Sequence, residues 1–374
     1  MLNRTLYKID KVILVASFIL VIFVPLISGI LQEDKTASNT EKRNLEKLPA
    51  LPDSIEALIQ FPKLFNQYYS DHFGFREELT RAYFKTTSKL GKQSTLDDVT
   101  FGKQDWLFLG GTKPGYTNYG DPVGNAMNVK LFTQKELENY VAPLVAIDDW
   151  LKQQDIEFLF VIAPNKHSIY FDKLPSFITK KNELSAIDQL LTYIREHTDI
   201  TTVDLRPALI DGRKEHEVYY KSDTHWNHYG ANIAQYEIMK TIGKMFPGKI
   251  TPSLLTDDQF EMNILNDGDL AKFAGIESFS EPSPVPVFED ACNTYIETHT
   301  ATDTGNYTTT CTGQQLQALV YRDSFFITLQ PYFSKKFSRI TYIQERISKP
   351  LLMIELDKNR PDIVISEVVE RAIP

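Results

Sequence analysis

An α/β fold, a parallel sheet flanked by helices, is what this sequence predicts, and three observations carry the prediction. Helix and strand signals alternate: apolar residues recur at helical spacing from Phe132 to Gln154, a β-prone run follows at Glu157–Ala163, and the pair repeats as Ser185–His197 and Thr201–Leu205. Such alternation is the mark of βαβ units. The run Phe158-Leu159-Phe160-Val161-Ile162-Ala163 is apolar at every position, as a strand covered on both faces must be. Two more β-prone runs come late, Ile340–Ile343 and Ile363–Ser366, the second leading into Glu367–Ala372. In folds of this class the functional loops leave the carboxyl ends of the strands.

Each element has a local justification. The helix over 132–154 presents Leu137, Val141, Leu144, Val145, Ile147 and Leu151 as one stripe. An earlier stripe, Ile55, Leu58, Ile59, Leu64, Phe65 and Tyr68, predicts a helix from Ile55 to Tyr69, and a second helix is expected from Glu77 to Leu90. Val99–Gly102 and Trp106–Leu109 read as short strands around the polar turn Lys103-Gln104-Asp105, with Gly110–Gly124 as a surface loop. A further helix is expected from Tyr229 to Lys244. Between Thr251 and Thr312 the periodicity fails and prolines recur at 252, 282, 284 and 286, which predicts an irregular insertion at about 251–312.

The N-terminus carries a separate signal. Val12–Leu31 is a run of twenty uncharged, mostly aliphatic residues, which as a helix rises about 30 Å, one hydrocarbon thickness. Arg4, Lys8 and Lys11 precede it and Glu33 and Asp34 follow, so the positive-inside rule leaves residues 1–11 in the cytoplasm and exports the rest. The expected organisation is a tail at 1–11, a transmembrane anchor at 12–31, a stalk at 32–54 and a folded domain at 55–374. It places the protein in the cytoplasmic membrane with the domain outside. A cleaved signal peptide is the alternative reading, but the run exceeds the usual signal core and no Ala-x-Ala site follows it.

Composition bounds the partners. At 374 residues, with 42% hydrophobic and 12% aromatic content, the chain has material for one large globular domain with attachments, or for two domains. A net charge of -9 without a basic stripe argues against nucleic acid. The two cysteines, Cys292 and Cys311, bracket a polar, Thr-rich stretch on the exported side, where a disulfide between them is expected; two buried thiols are the alternative. No His or Cys cluster has metal-ligand spacing, so neither metal nor cofactor is expected.

The chemistry concentrates in two stretches. In Tyr219-Tyr220-Lys221-Ser222-Asp223-Thr224-His225-Trp226-Asn227 an aspartate stands two residues before a histidine, ahead of a helix. On a turn, that spacing lets the carboxylate hold the near ring nitrogen while the far one faces outward, as a general base requires. About a hundred residues on, an apolar run ends in Arg322-Asp323-Ser324, which puts a serine at a strand-to-helix turn near backbone N–H groups and the positive helix end. Ser324 is the candidate nucleophile, His225 the base and Asp223 its orienting acid. The plainer reading makes Asp323 or Ser324, and likewise Asp223, helix N-caps. Strand-end loops add Asn165, Lys166 and Arg322 as candidate substrate or oxyanion contacts, Asn165 also having an ordinary turn role available.

These residues resemble a known family. Tyr220 to Ala231, with Arg322-Asp323-Ser324-Phe325 far downstream, is similar to the SGNH-hydrolase-like domain of the alginate O-acetylation proteins AlgJ and AlgX. Asp71–Arg76, Trp106-Leu107-Phe108, Ala163–Lys166 leading to Leu174-Pro175, and Pro361–Val364 support it. The resemblance implies a flavodoxin-like sheet with circularly permuted motif order, the Asp-x-His pair preceding the serine, and a Ser-His-Asp triad formed by Ser324, His225 and Asp223. It implies an O-acetyltransferase moving acetyl groups onto an exported polysaccharide, with a membrane-bound O-acyltransferase supplying the acetyl donor. The N-terminal anchor makes the chain more similar to AlgJ, and no segment corresponds to the carbohydrate-binding module of AlgX. An acetylesterase with the same triad, or a non-catalytic scaffold in a polysaccharide-modification complex, are the rival readings.

Overall fold

The computed structural model describes residues 14–20, 23–25, 27–28, 37–38, 43–44, 46–75, 99–111, 120–274, 276, 279–288, 294–298 and 305–374. The chain divides into two compact units, one of residues 1–92 with 272–277 and one of 93–271 with 278–374. In the first, Ile55–Asp71 is helical, two residues longer than the apolar stripe suggests, and the Ser54 hydroxyl caps it by accepting the Ala57 N–H. Asp71 accepts the Glu46 N–H and the His72 ring bonds the Tyr68 carbonyl, so this adjacent pair serves the helix end. Among the described residues no helix is long and apolar enough to cross a membrane. A part of Val12–Leu31, and the whole of the helix expected at 77–90, lie outside the described residues.

The second unit is built on a seven-stranded mixed sheet. Its strands are β1 (Glu157–Ala163), β2 (Thr201–Asp204), β3 (Thr294–Thr298), β4 (Tyr307–Cys311), β5 (Gln317–Tyr321), β6 (Arg339–Ile343) and β7 (Ile363–Val369), in the order β2-β1-β7-β5-β6-β4-β3. The five strands from β2 to β6 are mutually parallel, and β4 and β3 add antiparallel at one edge. The last strand in sequence therefore lies between β1 and β5, and the carboxyl ends of these three sit side by side.

Alternation sends successive side chains to opposite faces. Leu159, Val161 and Ala163 of β1 join Val320 and Ile365 in one buried cluster, covered by Ala231, Ala234, Ile238 and Ile242 of helix α3 (His228–Met245). Phe158, Phe160 and Ile162 face the other way, against Leu144 and Leu151 of α1 (Gln134–Lys152), Leu190 and Ile194 of α2 (Ala186–His197) and Leu352 of α4 (Lys349–Lys358). Thr133 and Ser185 open α1 and α2 with capping boxes closed by Glu136 and Asp188.

Three expectations change. The sheet expected to be parallel is mixed, because β4 and β3, from the region of the insertion, pair antiparallel at its edge. The end of the loop expected at Gly110–Gly124 is a short buried helix, Pro122–Met127, capped by the Asp121 carboxylate on the Gly124 N–H. The insertion expected to be irregular holds a paired ribbon, Phe260–Asn266 with Ser280–Pro286, as well as β3 and β4. Pro282, Pro284 and Pro286 fall at alternate positions of that two-stranded ribbon, where the missing N–H would point away from the partner. β4 escaped a hydropathy reading because its buried threonines satisfy one another: Thr308 bonds Thr341 at 2.9 Å and Thr309 donates to Ser334 at 3.0 Å.

Truncating Ile365, buried at the centre of the sheet, is expected to cost about 3 kcal/mol as Ile365→Ala, since a core isoleucine loses transfer energy and leaves a cavity. Ile354→Ala, on the exposed side of α4, should stay within about 0.5 kcal/mol. Urea unfolding of the two variants checks the contrast.

Candidate active site

The loop between β2 and α3 is held before it is used. Tyr219 bridges Trp226 across it, and the Tyr219 hydroxyl donates to the Pro164 carbonyl at 2.7 Å. Glu281 accepts the backbone N–H groups of Lys221 and Ser222 at 2.7 and 2.8 Å, and the Ser222 hydroxyl as well. From below, the buried Lys166 amine donates to the carbonyls of Tyr220, Lys221 and Asp223 at 3.0, 3.2 and 2.6 Å. Its charge also sits over the rings of Trp106 and Phe108. Burial drives this amine down to about 8, against the pull of Asp269, Asp223 and Glu281.

On this fixed loop Asp223 Oδ1 lies 2.7 Å from His225 Nδ1 and accepts the His225 backbone N–H at 3.0 Å. Its other oxygen accepts the Asp269 N–H at 2.9 Å. Burial pushes the Asp223 carboxyl up, but the His225 hydrogen bond and charge, with the two backbone N–H groups, outweigh it and hold the group well below the usual carboxylate range. The far nitrogen, Nε2, lies 2.8 Å from Ser324 Oγ. The relay from carboxylate to imidazole to hydroxyl is unbroken. With Nδ1–H donated to Asp223, Nε2 is left as the acceptor for the serine proton.

The serine turn is tied to the same loop. Trp226, fully buried, donates its indole N–H to the Phe325 carbonyl at 3.0 Å, and the Phe325 ring packs 4.8 Å from the His225 ring. Asp323 is the cap: it accepts the Phe325 N–H at 2.8 Å and the Val369 N–H at 2.7 Å. The following element is a six-residue 3₁₀ turn, Ser324–Leu329, rather than a long helix, and its Phe325 N–H is already taken. The capping reading and the nucleophile reading thus fall on different residues, Asp323 and Ser324. The cap of α3 is Asn227, not Asp223.

The remaining candidates separate by what their polar atoms already do. The Arg322 guanidinium donates to the carbonyls of Gly305 and Asp323, and Lys166 spends its three protons on the loop, so both act as backbone ties rather than as substrate contacts. A buried cation must find acceptors, and these two find backbone carbonyls. Asn165 differs: it is 1% exposed, its side chain caps nothing, and its Nδ2 has no partner among the described residues. Cys311 is buried at the end of β4, opposite Thr294, while Cys292 lies outside the described residues.

Several site residues left little trace in the sequence. Asp269 accepts the Thr224 N–H at 2.7 Å and the Thr224 hydroxyl at 2.6 Å, and its Oδ2 lies 3.9 Å from His225 Nδ1. Burial and the charge of Asp223 push its carboxyl up. The legible signal is Asp267-Gly268-Asp269, because a side chain at Gly268 would run into the Ser222 backbone. Asp223, His225 and Asp269 offer ligand atoms within 4.8 Å of one another, a spacing a metal accepts, but these atoms are committed to the hydrogen bonds just described. Glu367 and Glu370, both buried, hold the Asp323 N–H at 3.0 Å and the Asn165 N–H at 2.7 Å from the end of β7.

Residues 99–311, more than half of the chain, match the family model described as the SGNH hydrolase-like domain of acetyltransferase AlgX. The match includes Asn165, Asp223, His225 and Asp269 and stops short of Ser324. Among curated proteins, the chain is 24% identical over 233 residues to the probable alginate O-acetylase AlgJ of Pseudomonas syringae pv. tomato, covering 61% of this chain and 54% of that one. It is 31% identical over 113 residues to the alginate biosynthesis protein AlgX of Pseudomonas aeruginosa, covering 28% of this chain and 22% of AlgX. The chain thus spans about half of the one relative and a fifth of the other. The structure of Bacillus cereus PatB1 with a sulfonyl adduct shares the fold, with a TM-score of 0.51 and 16% identity over 73% of this chain and 96% of that one.

Replacing Lys166 with methionine keeps the packing and deletes three hydrogen bonds, which is expected to cost about 2–4 kcal/mol and to raise amide exchange across 220–225. The native amine releases its proton near 8 and the unfolded one near its ordinary value of 10.5, so between these values the unfolded chain binds more protons. Stability of the native protein should therefore rise with pH across that window, relative to Lys166→Met, in paired denaturant titrations.

Proposed function

Because this chain belongs to the family of the SGNH hydrolase-like domain of acetyltransferase AlgX, we propose that it is an O-acetyltransferase acting through Ser324, His225 and Asp223 on hydroxyls of an exported polysaccharide. The observation that carries the reading is the relay of 2.7 and 2.8 Å joining Asp223, His225 and Ser324. Ser324 Oγ attacks the carbonyl carbon of an acetyl donor while His225 Nε2 takes the hydroxyl proton. The leaving group departs with that proton and an acetyl-serine remains. A sugar hydroxyl then gives its proton to His225, attacks the acetyl carbon and releases Ser324, which recovers the proton. Asp223 stays ionised throughout and stabilises the imidazolium, a role its depressed carboxyl suits.

The setting extends the reading. Val12–Leu31 anchors the chain in the cytoplasmic membrane, with the second unit on the outer side, where a membrane-bound O-acyltransferase delivers the acetyl group. Cys292 and Cys311 are linked there, a pairing supported by the antiparallel register that sets Thr294 opposite Cys311. Peptide mapping of exported protein without reductant should recover the two cysteines in one cross-linked fragment, and recovery of both as alkylated thiols counts against the link.

With an activated acetyl ester as donor, Ser324→Ala is expected to lower turnover by about 10⁶-fold and Asp223→Asn by about 10⁴-fold. Ser176→Ala, at an exposed position, should match the native protein. Mass spectrometry should find acetyl on Ser324. Acetyl recovered on the glycan supports the transferase, acetate alone makes the protein an esterase, and equal rates for all variants leave only a scaffold.

A further inference from the structure

We propose that Arg371 and the Asn165 side-chain amide form a donor pair that receives the negative charge developing on the acyl oxygen during transfer through Ser324. The proposal rests on the acetyl-transfer reading above and adds to it a residue that no sequence motif marks. Its basis is position first. Asn165 follows β1, Arg371 follows β7 and Ser324 follows β5, and β7 lies between the other two. The Arg371 guanidinium carbon is 5.2 Å from the centre of the Phe325 ring, and the His225 ring packs on that same ring.

The second basis is what Arg371 does not do. Other enclosed arginines here spend their planar fork on protein acceptors: Arg206 reaches Asp188 and Asp204 at 2.7 and 2.9 Å, and Arg322 reaches the Gly305 carbonyl at 2.7 Å. Arg371, partly buried, has among the described residues no ion pair and one long contact, 3.5 Å from Nη1 to Asn165 Oδ1. Burial pushes the guanidinium down from its ordinary value, while Asp323, Asp269 and Glu367 favour its charge from nearby. Yet Asp323 is occupied by Phe325 and Val369 N–H groups, Asp269 by Thr224, and one Glu367 oxygen by the Asp323 N–H, while the other Glu367 oxygen is buried and bonds neither Arg371 nor any other described residue. Apart from the long contact to Asn165, the donors of Arg371 are thus held at the strand ends without an acceptor among the described residues.

Asn165 completes the pair. The contact from Arg371 turns its Oδ1 toward the guanidinium and leaves Nδ2, buried and unpartnered, as a second donor. An orphaned buried N–H is costly to maintain unless something uses it. The two are also mechanically joined, since Glu370, the residue before Arg371, holds the Asn165 backbone N–H at 2.7 Å.

In the step itself the Ser324 Oγ–carbon bond forms, the serine proton passes to His225 Nε2, and the carbonyl π pair moves onto oxygen. Arg371 and Asn165 donate to that oxygen. When the pair returns, the bond to the leaving oxygen breaks and that oxygen takes the proton from His225. Donors aimed at the developing charge act on the chemical step and not on ground-state binding.

The test uses the full chain and two readouts. With p-nitrophenyl acetate, an uncharged donor, Arg371→Met is expected to lower the acylation rate constant by about 10²-fold with KM nearly unchanged. Arg371→Lys, which keeps the charge but not the fork, should recover only part of it. Independently of turnover, Ser324→Ala should bind methylphosphonate, a tetrahedral anion, and adding Arg371→Met should weaken that binding at least tenfold. Loss of methylphosphonate binding beside a native protein that never acetylates Ser324 would sustain the anion site while sinking the acetyl-transfer reading. Native acylation and native methylphosphonate binding in a folded Arg371→Met chain would overturn the proposal. So would a loss seen only with an anionic acceptor, which would make Arg371 a contact for the acceptor's charge.

Discussion

Behind the His225–Ser324 contact, a second hydrogen bond joins the two halves of the candidate site: the Trp226 indole N–H donating to the Phe325 carbonyl across 99 residues of sequence. The indole neighbours His225 in the chain and the carbonyl neighbours Ser324, so the bond fixes the base against the hydroxyl to within one residue on each side. A hydroxyl–imidazole contact alone would be too weak to hold two loops in register against their conformational entropy. The buried indole adds a large apolar area to its hydrogen bond, and its ring meets the Phe325 ring edge-on at 5.2 Å. What holds the relay together is therefore the packing behind it.

The electrostatic design follows one rule on both signs of charge. Carboxylates at the strand ends are held by backbone N–H groups: Asp223 by residues 225 and 269, Asp323 by 325 and 369, Glu281 by 221 and 222. Cations beneath them are held by backbone carbonyls, as Lys166 and Arg322 are. Charges tied to the backbone in this way stiffen the loops that carry the side chains, and stiffness is what keeps a hydroxyl at attacking distance. Asp269 is the counterweight. Its carboxyl is pushed up by burial and by the charge of Asp223, whereas Asp223, despite its own burial, is held low by its bond to His225.

What the sequence disclosed follows from how local each feature is. β1 was legible because both its faces are covered and every residue after Glu157 is apolar. The Asp223–His225 pair was legible because the residues that make it lie two apart and the turn between them is short. Ser324 was legible as the end of an apolar run. Asp269, Glu281, Glu367 and Arg371 were not, because each acts on a residue at least forty positions away and no local pattern marks that partner. β4 was hidden for a related reason: a strand whose burial is achieved by threonines bonding across to Thr341 and Ser334 has no hydrophobic signature. Lys166 was legible as a strand-end residue, but only its surroundings show that its protons go to carbonyls.

The order of strands has a consequence for how the site comes into being. β1 and β5 carry Asn165 and Ser324 at their ends, and neither pairs with the other; β7, the last of the seven in sequence, pairs with both through seven and four residues of register. Until β7 docks, the sheet is two pieces, and the carboxylates of Glu367 and Glu370 that anchor Asp323 and Asn165 are absent from the strand ends. A parallel pairing spanning some two hundred residues carries a large loop-closure cost that only the buried faces of Ile363, Val364 and Ile365 offset. Closure of the core and alignment of the nucleophile with its neighbours are thus one event, which is why the site tolerates buried charges and an orphaned amide.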